Sequence, residues 1–573
     1  METIQRGAES RPVLDLVKMA RAQIFVLFAL SVTSNLLMLT GSVFMLQVYD
    51  RVLPSRSTDT LIALTTLVIV LYGFYALIEW IRARMAVRLG GLIHDRFAQA
   101  LFQAAVRLKL VSGHAGRVNP INDLDVLRMF VSGSGPIALL DLPWIPIYLA
   151  VSFFLHPLLG AFTLGGGVVI AGLLVINELH SRRPALATTA AAGERGALTS
   201  DAESNAESIM SMGMIDSVTT RWEHSAYKLA QSQQRSADRT AFYASLTKGV
   251  RYLLQSAVLA VGAYLVILGE VTGGLMIAAS ILTSRALAPI EQVVGQWRGF
   301  VNARQASARL VQILAISEVA PRPTQLPLPS DRLTLEGLST GPDVRRNPVV
   351  FDVNITLNSG DGLGIIGLSG SGKSSIARAI VGVWPVLRGS IRLDGSELAH
   401  FDPVRLGTAI GYLPQSVQLL EGTIADNIGR FSPDHDTDAI LRAAQAARVH
   451  DLIVTMPDGY ETRVGENGSV LSAGQRQRIG LARALYGDPF LVVLDEPNSN
   501  LDMEGDQALT KAIEDARERG AIVVVVAHRP SAIAALNKVL FMRDGRQIAF
   551  GNKDAVMSQI ALPPTPIDRR KSA

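Results

Sequence analysis

The chain has 573 residues, enough for three or four domain-sized units, and sets 49% hydrophobic against 18% charged residues, an apolar excess over an ordinary soluble enzyme. It carries a net charge of +4 and no cysteine, which excludes disulfides, thiolate metal sites and a cysteine nucleophile, and with the last any cysteine-protease domain. Its basic residues mostly flank apolar runs instead of forming one stripe, so the charge speaks for membrane topology and against nucleic acid.

Residues 1–22 are polar and carry Arg6, Arg11, Lys18 and Arg21. The apolar run 23–48 is long enough to cross a hydrocarbon core of about 30 Å as a helix. It is too long for a signal peptide, and no small-residue cleavage site follows it. The segment Tyr49-Asp50-Arg51-Val52-Leu53-Pro54-Ser55-Arg56 is expected as a polar turn, and a second span as 60–81. Arg82, Arg84 and Arg88 follow, then a stretch to about 135 with helical periodicity but too much charge for lipid. Third and fourth spans are expected at 136–155 and 157–179, joined at His156-Pro157. A second charged stretch runs to about 247, and spans five and six fall at 248–268 and 271–290.

Positive residues lie at the start of span one, after two, after four, before five and after six. The positive-inside rule therefore puts both termini in the cytoplasm. The two charged stretches should extend the spans into water and end in short crosswise helices at about 118–130 and 209–221. Asp141 and Arg285 stand in otherwise apolar runs, where charge facing lipid is costly. Either they line protein or water, or they reach the interface from near the helix ends.

A proline-rich linker, 317–330, opens the second half. Gly367-Leu368-Ser369-Gly370-Ser371-Gly372-Lys373-Ser374 follows the apolar run Gly362-Leu363-Gly364-Ile365-Ile366 and fits G-x-x-x-x-G-K-[ST]. A buried strand ends, backbone N–H groups wrap a phosphate chain, and a helix begins at Lys373. Lys373 would reach the β- and γ-phosphates and Ser374 would hold Mg²⁺, with Ser375 next in the helix. Leu491-Val492-Val493-Leu494-Asp495-Glu496 is a strand ending in two acids, Asp495 for the metal and Glu496 for the attacking water. Ser472 reads as the N-cap of a helix whose first turn, with Gly474 and Gln475, forms an anion site. Gln415, Asp502 and His528 each follow a predicted strand or the acids.

With these parts in order, the second half resembles the nucleotide-binding domain of ATP-binding cassette (ABC) transporters, and the six spans resemble an exporter half-transporter. The resemblance implies a membrane all-α six-helix exporter domain followed by an α/β phosphate-loop nucleotide-binding domain. Its divisions are 1–22, a transmembrane domain at 23–316, the linker, the cassette at 331–558 and a tail at 559–573. It implies Walker A at 367–374, Q-loop Gln415 beside the metal, signature 471–475, Walker B Asp495, catalytic Glu496, D-loop 499–502 and switch His528, with ATP and Mg²⁺ as cofactors. Thr462-Arg463-Val464-Gly465-Glu466-Asn467-Gly468 is similar to the exporter stretch that touches the membrane domain.

Val48-Tyr49-Asp50-Arg51-Val52-Leu53-Pro54, Asp141-Leu142-Pro143-Trp144 and Gly382-Val383-Trp384-Pro385 resemble type I secretion exporters, particularly the metalloprotease-exporting branch. That implies a homodimer in the bacterial inner membrane, a periplasmic membrane-fusion adaptor, an outer-membrane duct and an unfolded protein substrate with an uncleaved C-terminal signal. Such substrates often carry glycine- and aspartate-rich calcium repeats. The short N-terminal segment leads one to expect no peptidase-like domain of the kind in bacteriocin and haemolysin exporters. Ala473 replaces the usual signature glycine, and 337–350 contains no aromatic residue to stack on adenine. Two other functions compete: export of lipids or small amphiphiles, and nucleotide sensing without transport. Glu496 and His528 count against the sensor, which has no need of turnover.

Overall fold

The computed structural model describes residues 11–112, 119–318, 326–342, 347–501, 503–527 and 531–561. Asp502 and His528, as well as parts of the linker and both termini, lie outside the described residues. The chain divides into a helical unit, chiefly Met1–Lys109 and His114–Val319, and an α/β unit, chiefly Ala320–Ala573.

Among the described residues, six helices in the first unit are long and apolar enough to cross a membrane: Arg21–Ser55, Thr58–Leu110, Ser134–Leu155, Pro157–His180, Ile215–Ile267 and Gly273–Gly295. Large apolar side chains face outward, Phe154 at 91% and Ile267 at 83% exposure, an arrangement that lipid favours and water does not. Three helices run far beyond bilayer thickness. Thr58–Ser112 has 55 residues, roughly 80 Å at 1.5 Å per residue, and Pro157–Ser204 and Ile215–Ile267 match it in kind.

Three expectations need correction. The predicted polar turn at 49–56 is helical to Ser55, with a π-turn over Val48–Val52, and the chain reverses only at Arg56. Asp50 keeps it helical by reaching sideways: its carboxylate accepts from Gly274 N at 2.9 Å and Thr272 Oγ1 at 2.5 Å, capping the sixth span. The crosswise helix at 118–130 is instead Pro120–Ser132, capped by Asn119. It runs antiparallel along Trp297–Glu318, since Arg309 donates to Asp123 at 2.6 and 2.8 Å while Phe130 meets Phe300 at 6.1 Å. The helix expected at 209–221 is Ala206–Ser211, because Gly213 at φ +65° turns the chain and Ile215 already starts the fifth long helix.

Asp141 does not reach an interface. It is buried and accepts hydrogen bonds from Ser31 at 2.6 Å, Asn35 at 2.9 Å and Arg82 at 2.9 Å, tying three spans together. Arg82 is 1% exposed and also pairs with Glu79, and Tyr148 donates to Asn35. Just beyond Asp141 the third span narrows to a 3₁₀ turn at Leu142–Trp144, where Pro143 removes a backbone donor. Arg285 lies instead on the wall of a cavity.

Among the described residues the second unit holds one sheet of ten strands: β1 Arg332–Thr340, β2 Val350–Asn358, β3 Gly362–Gly367, β4 Val386–Leu393, β5 Ser396–Glu397, β6 Ile410–Leu413, β7 Leu491–Asp495, β8 Ile522–Val526, β9 Lys538–Arg543 and β10 Arg546–Asn552. Their order is β5-β4-β1-β2-β10-β9-β3-β8-β7-β6. From β9 to β6 the pairs are parallel, and β1 with its neighbours is antiparallel. β7 and β8 are buried at every position, which explains their continuous apolar sequence, since helices cover both faces of a parallel sheet. The C-terminal ends of β3, β6 and β7 carry the Lys373 loop, Gln415 and the two acids, at the edge where open α/β sheets bind ligands.

Candidate active site

Two glycines shape the loop after β3. A Cβ on Gly367 would stand 2.2 Å from the Met542 carbonyl oxygen, and one on Gly372, at φ +92°, would stand 2.7 Å from Val350. Gly370 has free space and serves the turn through its φ of +77° alone. Ser369 is exposed at the tip, while the Ser371 hydroxyl is buried without a hydrogen-bond partner among the described residues. Helix Lys373–Ile380 starts after a glycine that offers no capping side chain, so its first N–H groups are left for a ligand.

Lys373 is buried, and its Nζ donates to the carbonyls of Gly367 at 2.9 Å and Leu368 at 2.8 Å. Burial pulls its pKa down, against the pull of Glu496 and Asp495 in the other direction. Ser374 Oγ donates to Asp495 Oδ1 at 2.8 Å. Asp495 is fully buried and its Oδ2 has no partner among the described residues. Burial pushes its pKa up and Glu496 adds to that, while Ser374, Arg378 and Lys373 oppose them. A buried carboxylate oxygen without a donor, next to a serine hydroxyl, fits a hard divalent cation. Gln415 Nε2 donates to Glu496 Oε2 at 3.0 Å, so β6 and β7 deliver amide and acid to one point. Glu496 itself has a φ of +51°, rare for a non-glycine residue and held here by its N–H donating to Val526 O at 3.1 Å. Ser375 is buried behind the loop.

Ser472 caps helix Ala473–Leu485 in a reciprocal box: its Oγ accepts from Gln475 N at 3.2 Å and its N–H donates to Gln475 Oε1 at 2.9 Å. A Cβ on Gly474 would come 3.1 Å from Asn500 O, so the Asn500 backbone would have to give by a few tenths of an ångström. Among the described residues no hydrogen bond or ion pair joins Ser472, Gly474 or Gln475 to the Lys373 loop. The structure thus brings together Lys373, Ser374, Asp495, Glu496 and Gln415, and leaves the signature turn apart from them.

Two contributing residues escape the sequence reading. Gln477 is 3% exposed, donates to Pro497 O and accepts from Asn500 N at 3.1 Å, setting the backbone just after the acids. Arg378, whose charge bears on Asp495, lies over the Trp384 ring at 5.4 Å. Its place one and a half turns after Lys373, with Trp384 close behind in sequence, is the signal that was available.

Residues 350–499 match the ABC transporter family and residues 24–288 match the ABC transporter transmembrane region. The chain is 49% identical to the type I secretion system ATP-binding protein PrsD of Rhizobium meliloti, over 94% of this chain and 92% of that one. It is 28% identical to the exotoxin translocation ATP-binding protein PaxB of Pasteurella aerogenes and 27% identical to the alpha-hemolysin translocation ATP-binding protein HlyB of Escherichia coli, in each case over 92% of this chain and 75% of the relative. A bacterial Atm1-family ABC exporter solved with ATP bound shares the fold, with a TM-score of 0.82 at 20% identity over 95% of this chain and 97% of that one. The chain therefore belongs to the type I secretion branch of the ABC exporters, membrane-spanning ATPases that drive protein export.

Proposed function

We propose that Glu496 is the carboxylate that activates water against the γ-phosphate, in a site where Ser374, Asp495 and Gln415 hold Mg²⁺. The single observation that carries this is the chain of contacts from Ser374 Oγ through Asp495 to Glu496 and Gln415, with Asp495 Oδ2 left unpartnered. Lys373 would exchange two loop carbonyls for phosphate oxygens, and the N–H groups around Gly367, Ser369, Gly370, Ser371 and Gly372 would cradle the phosphates, with Ser375 supporting the turn. Bound Mg²⁺ would supply charge neutralisation for phosphoryl transfer. The roles of His528 as γ-phosphate sensor and Asp502 as interface residue rest on the resemblance alone. Glu496→Gln is expected to bind ATP and lose hydrolysis by about a hundredfold or more, because an amide cannot take the proton. Hydrolysis at the wild-type rate would overturn the assignment.

Ser472, Gly474 and Gln475 would complete the site of a second copy, which makes the working unit a homodimer. On this reading the protein sits in the bacterial inner membrane with termini and nucleotide domain in the cytoplasm. It passes a secreted protein with a C-terminal signal to a periplasmic membrane-fusion adaptor and an outer-membrane duct. The secretion ATPases among its relatives support this reading over a lipid exporter.

A further inference from the structure

The sixth span and the helix that continues it carry a polar row that the nucleotide chemistry does not use. From Ser284, steps of four and three residues lead through Ala288, Glu291, Gly295, Arg298, Asn302 and Gln305 to Arg309. Only Gln296 interrupts the two helices, and it keeps helical hydrogen bonds on both sides. At 1.5 Å per residue the row is roughly 38 Å long. Along the sixth span the opposite side is apolar and packed, with Ala286, Ile290 and Val293 all buried, so there the row faces away from the core. The first half of the row lines a cavity of about 900 Å³ and the second half one of about 490 Å³.

The charges of the row divide into two kinds. Glu291 pairs with Arg251, and Arg309 with Asp123 at 2.6 Å. Arg298 and, on the adjoining row, Arg285 are exposed and have no ion-pair partner among the described residues. Asn302 and Gln305 donate and accept without regard to side chain, as a passing peptide group requires. Ala288 and Gly295 leave room beside them, and no large apolar side chain interrupts the row to hold a segment back.

We infer that this row is the contact track for the exported chain, taken as an extended polypeptide, and that Arg298 and Arg285 select acidic segments of it. The inference rests on the protein-export reading above and names the residues that meet the cargo.

The absence of native cysteine makes the test direct. Asn302→Cys, and Val404→Cys in the nucleotide domain as an exposed control, are labelled in the full-length protein in membrane vesicles. The reagents are an anionic sulfonate and a cationic trimethylammonium methanethiosulfonate. At Asn302→Cys the anionic-to-cationic rate ratio is expected to exceed that at Val404→Cys about threefold or more, and to fall to the control value when Arg298→Gln is added. Polyglutamate should slow labelling at Asn302→Cys, and polylysine should not. Equal ratios at both positions, equal protection by both polymers, or no labelling at Asn302→Cys would overturn the inference, the last because the row is then covered by a second copy or by lipid. ATP hydrolysis by Arg298→Gln at the wild-type rate certifies folding; if that variant is lost, Arg298→Lys, which keeps the charge and should keep the ratio, decides. The labelling pattern together with absent protein secretion would refute the export reading and with it the cargo, leaving a row that attracts acidic chains without exporting them.

Discussion

Glu496 shows how much of a proposed catalytic position is set by a single residue's surroundings. Its left-handed backbone and the Gln415 amide at 3.0 Å aim the carboxylate away from the strand axis, while Asp495, one residue earlier, is fully buried beside Ser374. On the proposed roles, neighbouring acids thus divide into one that would face a metal and one that would face water. In 337–350, where the resemblance would place an adenine-stacking side chain, the base finds no such partner: the stretch contains no aromatic residue, and base stacking on an aromatic is worth about 1–3 kcal/mol. GTP is therefore expected to be hydrolysed nearly as well as ATP by the purified protein. A preference for ATP of about a hundredfold in kcat/KM, equivalent to roughly 2.7 kcal/mol, would show that another contact reads adenine.

At the scale of elements, two polar devices join spans that apolar packing alone would leave free to slide. Asp50 caps the first turn of the sixth span, and Gly274 makes room for it: a Cβ there would lie 2.5 Å from Asp50 Oδ1. Removal of such a cap costs about 1 kcal/mol. In Asp50→Ala the amides at 273–276 should exchange hydrogen about fivefold faster, and Gly274→Ala should act similarly by displacing the carboxylate. Unchanged exchange in both would mean that Thr272, which also caps Leu275 N at 3.2 Å, suffices. The second device is Asp141 with Arg82, 8% and 1% exposed. Breaking a buried pair costs about 3–5 kcal/mol because the remaining charge is stranded, so Asp141→Ala should melt well below the wild type in detergent. A melting temperature equal to the wild type would show that Glu79 alone satisfies Arg82.

For the whole molecule, the separation of the Ser472 turn from the Lys373 loop within the described chain argues for sites shared between two copies. A heterodimer of Lys373→Ala with Ser472→Arg, isolated by two tags, would then own one site with both lesions and one intact site, and hydrolysis should return although each homodimer is inactive. A heterodimer of wild type with the double variant should behave in the opposite way, since each of its sites carries one lesion. Activity in the second pair and none in the first would show that each chain builds its own site.

Linear patterns by themselves determined six spans, the Lys373 loop, the strand ending in Asp495-Glu496 and the Ser472 cap, because each is local: a run of apolar residues, a glycine spacing or a cap reports on neighbours a few positions away. Tertiary structure decided what lies across the chain. Asp141 as the centre of a three-span cluster depends on Ser31, Asn35 and Arg82, 110, 106 and 59 residues away, and Asp50 as the cap of a helix depends on Gly274, 224 residues away. Gln477 and Arg378 remained hidden for the same reason, as polar residues inside helices whose partners only the fold supplies. The helices at 120–132 and 206–211 departed from expectation because periodicity marks a helix but not its direction, which here follows from the Asp123–Arg309 pair and the turn at Gly213.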